Sequence, residues 1–168
     1  MRPEPASPVV LPSGRFTGRE AFAQLVRNAL MAAAQQNWRE IVFSDATFED
    51  WPLQERAVAD SLQAWSKSGR RFVMLASRYD AVLRSQARFV SWRKKWDHII
   101  ECRVCRHLDS TDFPSAIWSP AWALRRLDLF HCTGVCGAEP ERRVRVRETL
   151  DEMLLGSSPG FPASTLGL

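Results

Sequence analysis

The chain has no long apolar run, no glycine-rich loop at a strand-to-helix turn, and only three histidines; each shortage closes a class of function. Apolar stretches such as Ala29 to Ala34 and Phe72 to Ala76 span only a few residues, whereas a membrane-spanning helix needs about 20. Near the N-terminus only Val9, Val10 and Leu11 form an apolar run, short of the roughly 7–15 residues of a secretory signal. The expectation is therefore a cytoplasmic protein with no membrane partner. Neither G-x-G-x-x-G nor G-x-x-x-x-G-K-[ST] occurs, so nucleotide binding through a glycine-rich loop is excluded. No strand-to-helix turn places a G-x-S-x-G serine where an α/β-hydrolase needs its nucleophile.

What is present suits one domain. A chain of 168 residues can bury a core without disulfide staples. Seven Trp and nine Phe should supply much of that core, because each buries a large area. Charge is uneven. Between Lys67 and Arg106 eleven Lys or Arg face three acids, a surplus of eight, which leaves the other 128 residues at minus four.

Residues 1–14 carry four prolines and no apolar period, and read as a flexible or extended tail. A single domain over residues 15–156 follows, then an extended tail over 157–168 whose Leu166 and Leu168 have the character to dock. Thr17 and Glu20 have capping-box spacing, and the apolar face Phe22, Leu25, Val26, Ala29, Leu30 and Ala33 predicts a helix to Gln36. Glu40 to Ser44 reads as a strand. Pro52 opens a second helix with Leu53, Ala57, Val58, Leu62 and Trp65 inward, and Gly69 gives it a left-handed stop. Arg71 to Ala76 is a second strand, Ser77 and Asp80 cap a third helix reaching Asp97, and His98 to Val104 is a third strand. Beyond it, Leu108 to Pro120 reads as loop, Leu124 to Cys132 as a strand, and Pro140 to Leu155 as a final helix closed by Gly156. Strands alternating with helices predict an α/β class: one layered domain with a mostly parallel central sheet flanked by helices.

Open parallel sheets bind ligands at the carboxyl ends of their strands. Two polar turns lie there, 44–51 and 77–80, and a site between them would use Asp45, Glu49, Asp50, Arg78 and Tyr79. The plainer reading makes Asp50, Ser77 and Asp80 caps and leaves the other polar residues solvated, and it is the favoured one. A second candidate is the basic helix, where Arg84, Arg88 and Lys95 fall near one face with Trp92 beside them. Basic residues interleaved with an aromatic suit nucleic acid or another anionic partner. A solvated helix face with Trp92 or Trp96 turned inward accounts for the same pattern and is the favoured reading of it.

Four cysteines give a third candidate. Cys102 and Cys105, with His107 nearby, and Cys132 and Cys136, beside His131, offer tetrahedral zinc ligands. However, Cys102 and Cys105 lie in a strand-like run, where residues three apart face opposite sides. No metal or other cofactor is expected, and the cysteines read as reduced and structural.

The element order and the runs Ile41-Val42-Phe43-Ser44-Asp45 and Arg71-Phe72-Val73-Met74-Leu75-Ala76 resemble one half of a phospholipase-D-like domain, over residues 17–105. The likeness is closest to small uncharacterised bacterial members of that superfamily. It implies the fold and leaves room for a homodimer. The superfamily's H-x-K-x4-D motif is missing, because His98, His107 and His131 are followed two positions on by Ile100, Asp109 and Thr133. The resemblance therefore carries no catalytic residue. The favoured function is a non-catalytic binding or regulatory domain contacting an anionic partner. An enzyme of unknown reaction, with its site at the two turns, is the alternative.

Overall fold

The computed structural model describes residues 7–106, 108–109 and 111–162. Strand β1 (Gly14–Thr17) leads into α1 (Arg19–Gln36), β2 (Glu40–Ser44), α2 (Arg56–Ser66) and β3 (Arg71–Ala76). Two short helices, α3 (Asp80–Ser85) and α4 (Ala87–Lys95), and a 3-10 turn (Asp97–Ile99) precede β4 (Ile100–Val104). Then come β5 (Ser115–Trp118), β6 (Ala123–Asp128), β7 (Thr133–Gly137), α5 (Pro140–Leu155) and a two-residue strand β8 (Ser158–Pro159).

Among the described residues the eight strands form one sheet in the order β1-β7-β6-β5-β2-β3-β4-β8. Only β2–β3 and β3–β4 are parallel; the other five pairings are antiparallel. The expected α/β class with one layered domain holds, but the mostly parallel sheet does not. The helices between β2, β3 and β4 supply the crossovers that parallel strands need. From β5 to β7 the connections are too short for a helix. Ser119 closes the β5–β6 turn, accepting from the Ala121 and Trp122 amides and donating to the Trp122 carbonyl. A turn of that length permits only an antiparallel return.

The two faces of the sheet are covered unequally. Ile41, Phe43, Phe72 and Met74 point into the layer of α1 to α4, where they join Phe22, Leu30, Val58, Leu62, Trp65, Phe89 and Trp92 in the main core. Aromatic rings run through it edge to edge: Phe43 and Phe72 lie 5.0 Å apart, and Phe72 and Trp92 also 5.0 Å. Two of the buried indoles find backbone acceptors, Trp65 on the Trp38 carbonyl (2.6 Å) and Trp122 on the Pro12 carbonyl (3.0 Å), whereas the buried Trp51 N–H has none among the described residues. The alternate residues Val42, Val73, Ala116 and Ala123 face the other way and meet Val146 and Leu150 of the single helix α5.

Several local expectations are corrected. Thr17 pairs with Thr133 in the sheet, so it does not cap α1; Gly18, with φ 102°, turns the chain from strand to helix. Helix α2 starts at Arg56 rather than at Pro52, and Ala57 is exposed. Gly69 is not left-handed: a Cβ there would lie 2.3 Å from the Trp65 ring, so the position needs closeness rather than positive φ. The third helix is broken at Gln86, and Ser77 provides no side-chain cap. Residues 115–118, read as loop, form β5, and β7 begins just after Cys132. The expected docking of Leu166 and Leu168 lies outside the described residues.

Candidate functional site

The turns after β2 and β3 do adjoin: the Ser77 and Arg78 amides both donate to the Ala46 carbonyl, at 2.9 and 3.2 Å. Their polar side chains nevertheless part company. Asp45 and Asp50 converge on a residue that the sequence did not single out, Arg126 of β6. Its side chain is 2% exposed, against 6% for Asp45 and 31% for Asp50. The Arg126 guanidinium reaches Asp45 Oδ1 at 3.0 Å and the two Asp50 oxygens at 2.6 and 3.1 Å. Its remaining donors go to Ser115 Oγ (3.1 Å) and Cys132 Sγ (3.4 Å), and it stacks 4.2 Å above the Phe22 ring.

Burial alone would lower the Arg126 pKa, but the Asp50 hydrogen bonds, the Cys132 contact and the Asp45 charge outweigh it, and the net shift is upward. Asp45 is further held by the Thr47 and Phe48 amides, at 3.2 and 2.8 Å. Both carboxylates are thus engaged in joining β6 to the β2 turn. Glu49 and Arg78 are exposed. Tyr79 is buried on the far side, against Phe161, with its hydroxyl between the Met74 and Arg103 carbonyls at 3.1 and 2.9 Å. Burial raises its pKa well above the ordinary phenol range. Asp45 and Asp50 therefore share one cluster, while Glu49, Arg78 and Tyr79 stand apart from it.

The basic surface survives with a different composition. Within α4, Arg88, Ser91, Lys94 and Lys95 are exposed and no acid occurs between Ala87 and Lys95; Arg84 is exposed on α3. Trp92 is not part of this face. It is 4% exposed, and its indole N–H donates to Ser66 Oγ at 2.8 Å, so it cannot stack on a base. Arg93 is also buried, donating to the Phe161 carbonyl (3.1 Å) and to Asp97 (2.7 Å). Trp96, just after α4, donates its indole N–H to Gln63 Oε1 of α2, and the Arg88 amide at the start of α4 donates to Gln54 Oε1, just before α2.

Strand order separates the cysteine pairs. Cys102 on β4 and Cys136 on β7 lie five strand positions apart, about 24 Å at the usual spacing. One ion cannot take ligands from both pairs. Among the described residues no three His, Cys, Asp or Glu side chains converge as a metal site; His107 lies outside them. Burial pushes the Cys102 thiol up to about 12. The pentapeptide Gly156-Ser157-Ser158-Pro159-Gly160 does spell G-x-S-x-G, but it leaves a helix and enters the edge strand beside β4, the reverse of a nucleophile elbow.

No family model matches the chain, and the curated proteins contain no match. Among solved structures it is similar to TrmBL2, an archaeal chromatin protein described as showing a novel mode of DNA binding. The TM-score is 0.65 at 14% sequence identity, over 92% of this chain and 56% of that one. The likeness is one of fold, and this chain spans little more than half of its neighbour. No helix of the described residues is long and apolar enough to cross a membrane.

Proposed function

We propose that the domain is a non-catalytic binding module that contacts an anionic partner of the nucleic-acid class through the exposed face of α3 and α4. One observation carries this reading: Arg84, Arg88, Lys94 and Lys95 are exposed on a stretch where the only acid is Asp80 at the start of α3. The alternative of a reaction at the two turns loses its chemistry, because Asp45 and Asp50 are engaged by Arg126 and the Tyr79 hydroxyl by backbone carbonyls. With Trp92 buried, the contact is made to the charged backbone, and it does not depend on base sequence. The DNA-binding description of the similar chromatin protein agrees with such a partner.

The phospholipase-D-like resemblance is part of the same proposal, as a description of the β2–β4 region without its catalytic motif. A cytoplasmic setting suits Cys102, Cys132 and Cys136, which are buried thiols rather than disulfides. The test is binding of a fluorescent oligonucleotide at low salt. Arg84→Glu, Arg88→Glu and Lys95→Glu together abolish binding while the melting temperature holds, since exposed charges contribute little to stability. Equal binding by parent and triple variant removes this face from the function.

A further inference from the structure

The face of the sheet opposite the aromatic core carries one helix where the other face carries four. Helix α5 lies on β5, β6 and β7, and the surface flanking it is not flat. A cleft of about 320 Å³ opens between α5 and the strands, lined by Arg125 and Leu127 of β6, Val135 of β7, and Glu139, Glu141, Arg142, Arg145 and Val146 at the start of the helix. Arg125 and Val135 are direct cross-strand neighbours, and Arg15 of β1 pairs with Val135 from the other side. A second cleft of about 350 Å³, containing Arg15, shares Leu127 and Val135 with the first. The floor is thus apolar, and the walls carry three arginines beside the carboxylates of Glu139 and Glu141.

The charges divide into two kinds. Arg142 is committed to Glu139, which also accepts from Ser13 Oγ. Arg125 and Arg145 have no carboxylate or hydrogen-bond acceptor among the described residues. Leu127 is 64% exposed and lines the cleft together with these arginines and the buried Val146. An apolar floor left open beside two uncommitted guanidiniums matches a ligand with both a negative head and an apolar body. The rim carboxylates Glu139 and Glu141 repel a chain of phosphates, which separates this site from the α3–α4 face.

We infer that this cleft is a binding site for a small organic monoanion, a carboxylate, sulfonate or phosphate ester on an aliphatic or aromatic body. The head lies between Arg125 and Arg145, and the body covers Leu127, Val135 and Val146. This site does not depend on the polyanion reading of α3 and α4.

The probe is 8-anilinonaphthalene-1-sulfonate, whose fluorescence rises when its aromatic body leaves water. The full chain binds it saturably. Octyl sulfate displaces it and octylammonium does not, because only the anion satisfies the two arginines. Arg125→Ala with Arg145→Ala weakens binding at least about tenfold, as expected for lost charge-assisted hydrogen bonds. Arg125→Lys with Arg145→Lys retains part of it. The double alanine variant keeps parental oligonucleotide binding, and the α3–α4 charge reversals keep parental probe binding, so either proposal can fail alone. Absence of saturable binding overturns the inference. So does equal affinity in the double alanine variant, or displacement by octylammonium as effective as by octyl sulfate.

Discussion

The two faces of the sheet are built from different interactions. Under α1 to α4 the side chains are aromatic and closed to water: Phe43, Phe72, Phe89, Trp65 and Trp92 are each buried. Under α5 only Val146 and Leu150 of the helix are buried, with Leu154 and Met153 packed partly against the sheet, and a ladder of charges lies beside them. Arg71 lies 3.5 Å from Glu40 and 3.1 Å from Glu101, and Arg147 bridges Glu40 and Asp151 at 3.1 and 2.9 Å. Arg147 also covers the Trp118 ring at 4.3 Å. Exposed ion pairs add little to stability, so the first face holds the fold and the second contributes less to it.

The comparison breaks most visibly in the aromatic layer. Phe72 touches Phe43, Trp65, Phe89 and Trp92, and Phe72→Ala should cost about 3–5 kcal/mol, read as a fall in the urea midpoint. Next comes the buried cluster that ties the two sheet halves together. Arg126→Met leaves Asp45 buried without its cation and should cost about 3 kcal/mol. Adding Asp45→Asn to that variant recovers part of the loss. Parental stability in Arg126→Met would remove the cluster's role as the tie.

A smaller effect depends on pH. Burial raises the Cys102 thiol to about 12 from a reference of 9.0, so the folded chain holds that proton more tightly than the unfolded chain. The associated stability is complete below pH 9 and is lost as pH rises from 9 towards 12. Denaturant midpoints taken across the alkaline range should fall less steeply in Cys102→Ala than in the parent. An identical slope would locate the alkaline sensitivity elsewhere, with Tyr79 the next group to change. Smallest of all is the ladder: Arg71→Ala should change stability by less than about 1 kcal/mol. A loss equal to that of Phe72→Ala would erase the distinction between the faces.

The same division explains what could be read from residues alone. Helix α1, strands β2 and β3, and helix α5 follow from apolar period and punctuation, because each is long enough to repeat its pattern. Strands β1 and β5 are four residues each, and β7 reads Thr133-Gly134-Val135-Cys136-Gly137, too short and too glycine-rich to signal a strand. Their pairing is fixed by distant partners. Without them the antiparallel half was invisible, and the sheet looked mostly parallel. The break at Gln86 was equally hidden: its side chain bonds to the Phe48 and Trp51 carbonyls, more than 30 positions away. Arg126 meets Asp50 across 76 positions and Asp45 across 81, so no local motif could mark it. Surface charge is a property of composition, and the basic residues of α3 and α4 were therefore legible. The burial of Trp92 was not, since a solvent-facing and a core-facing tryptophan look alike in a helical repeat.

The salt dependence of oligonucleotide binding tests the functional claim most directly. A backbone contact through Arg84, Arg88, Lys94 and Lys95 releases counterions, so the logarithm of the association constant should fall linearly with the logarithm of salt, with a slope of about −2 or steeper for a single strand. Reversing Lys94 and Lys95 to Glu should flatten that slope by at least about 1 and leave it the same for oligonucleotides of different sequence. A slope near zero in the parent, or a slope unchanged by the reversal, would contradict the assignment of this face to an anionic partner.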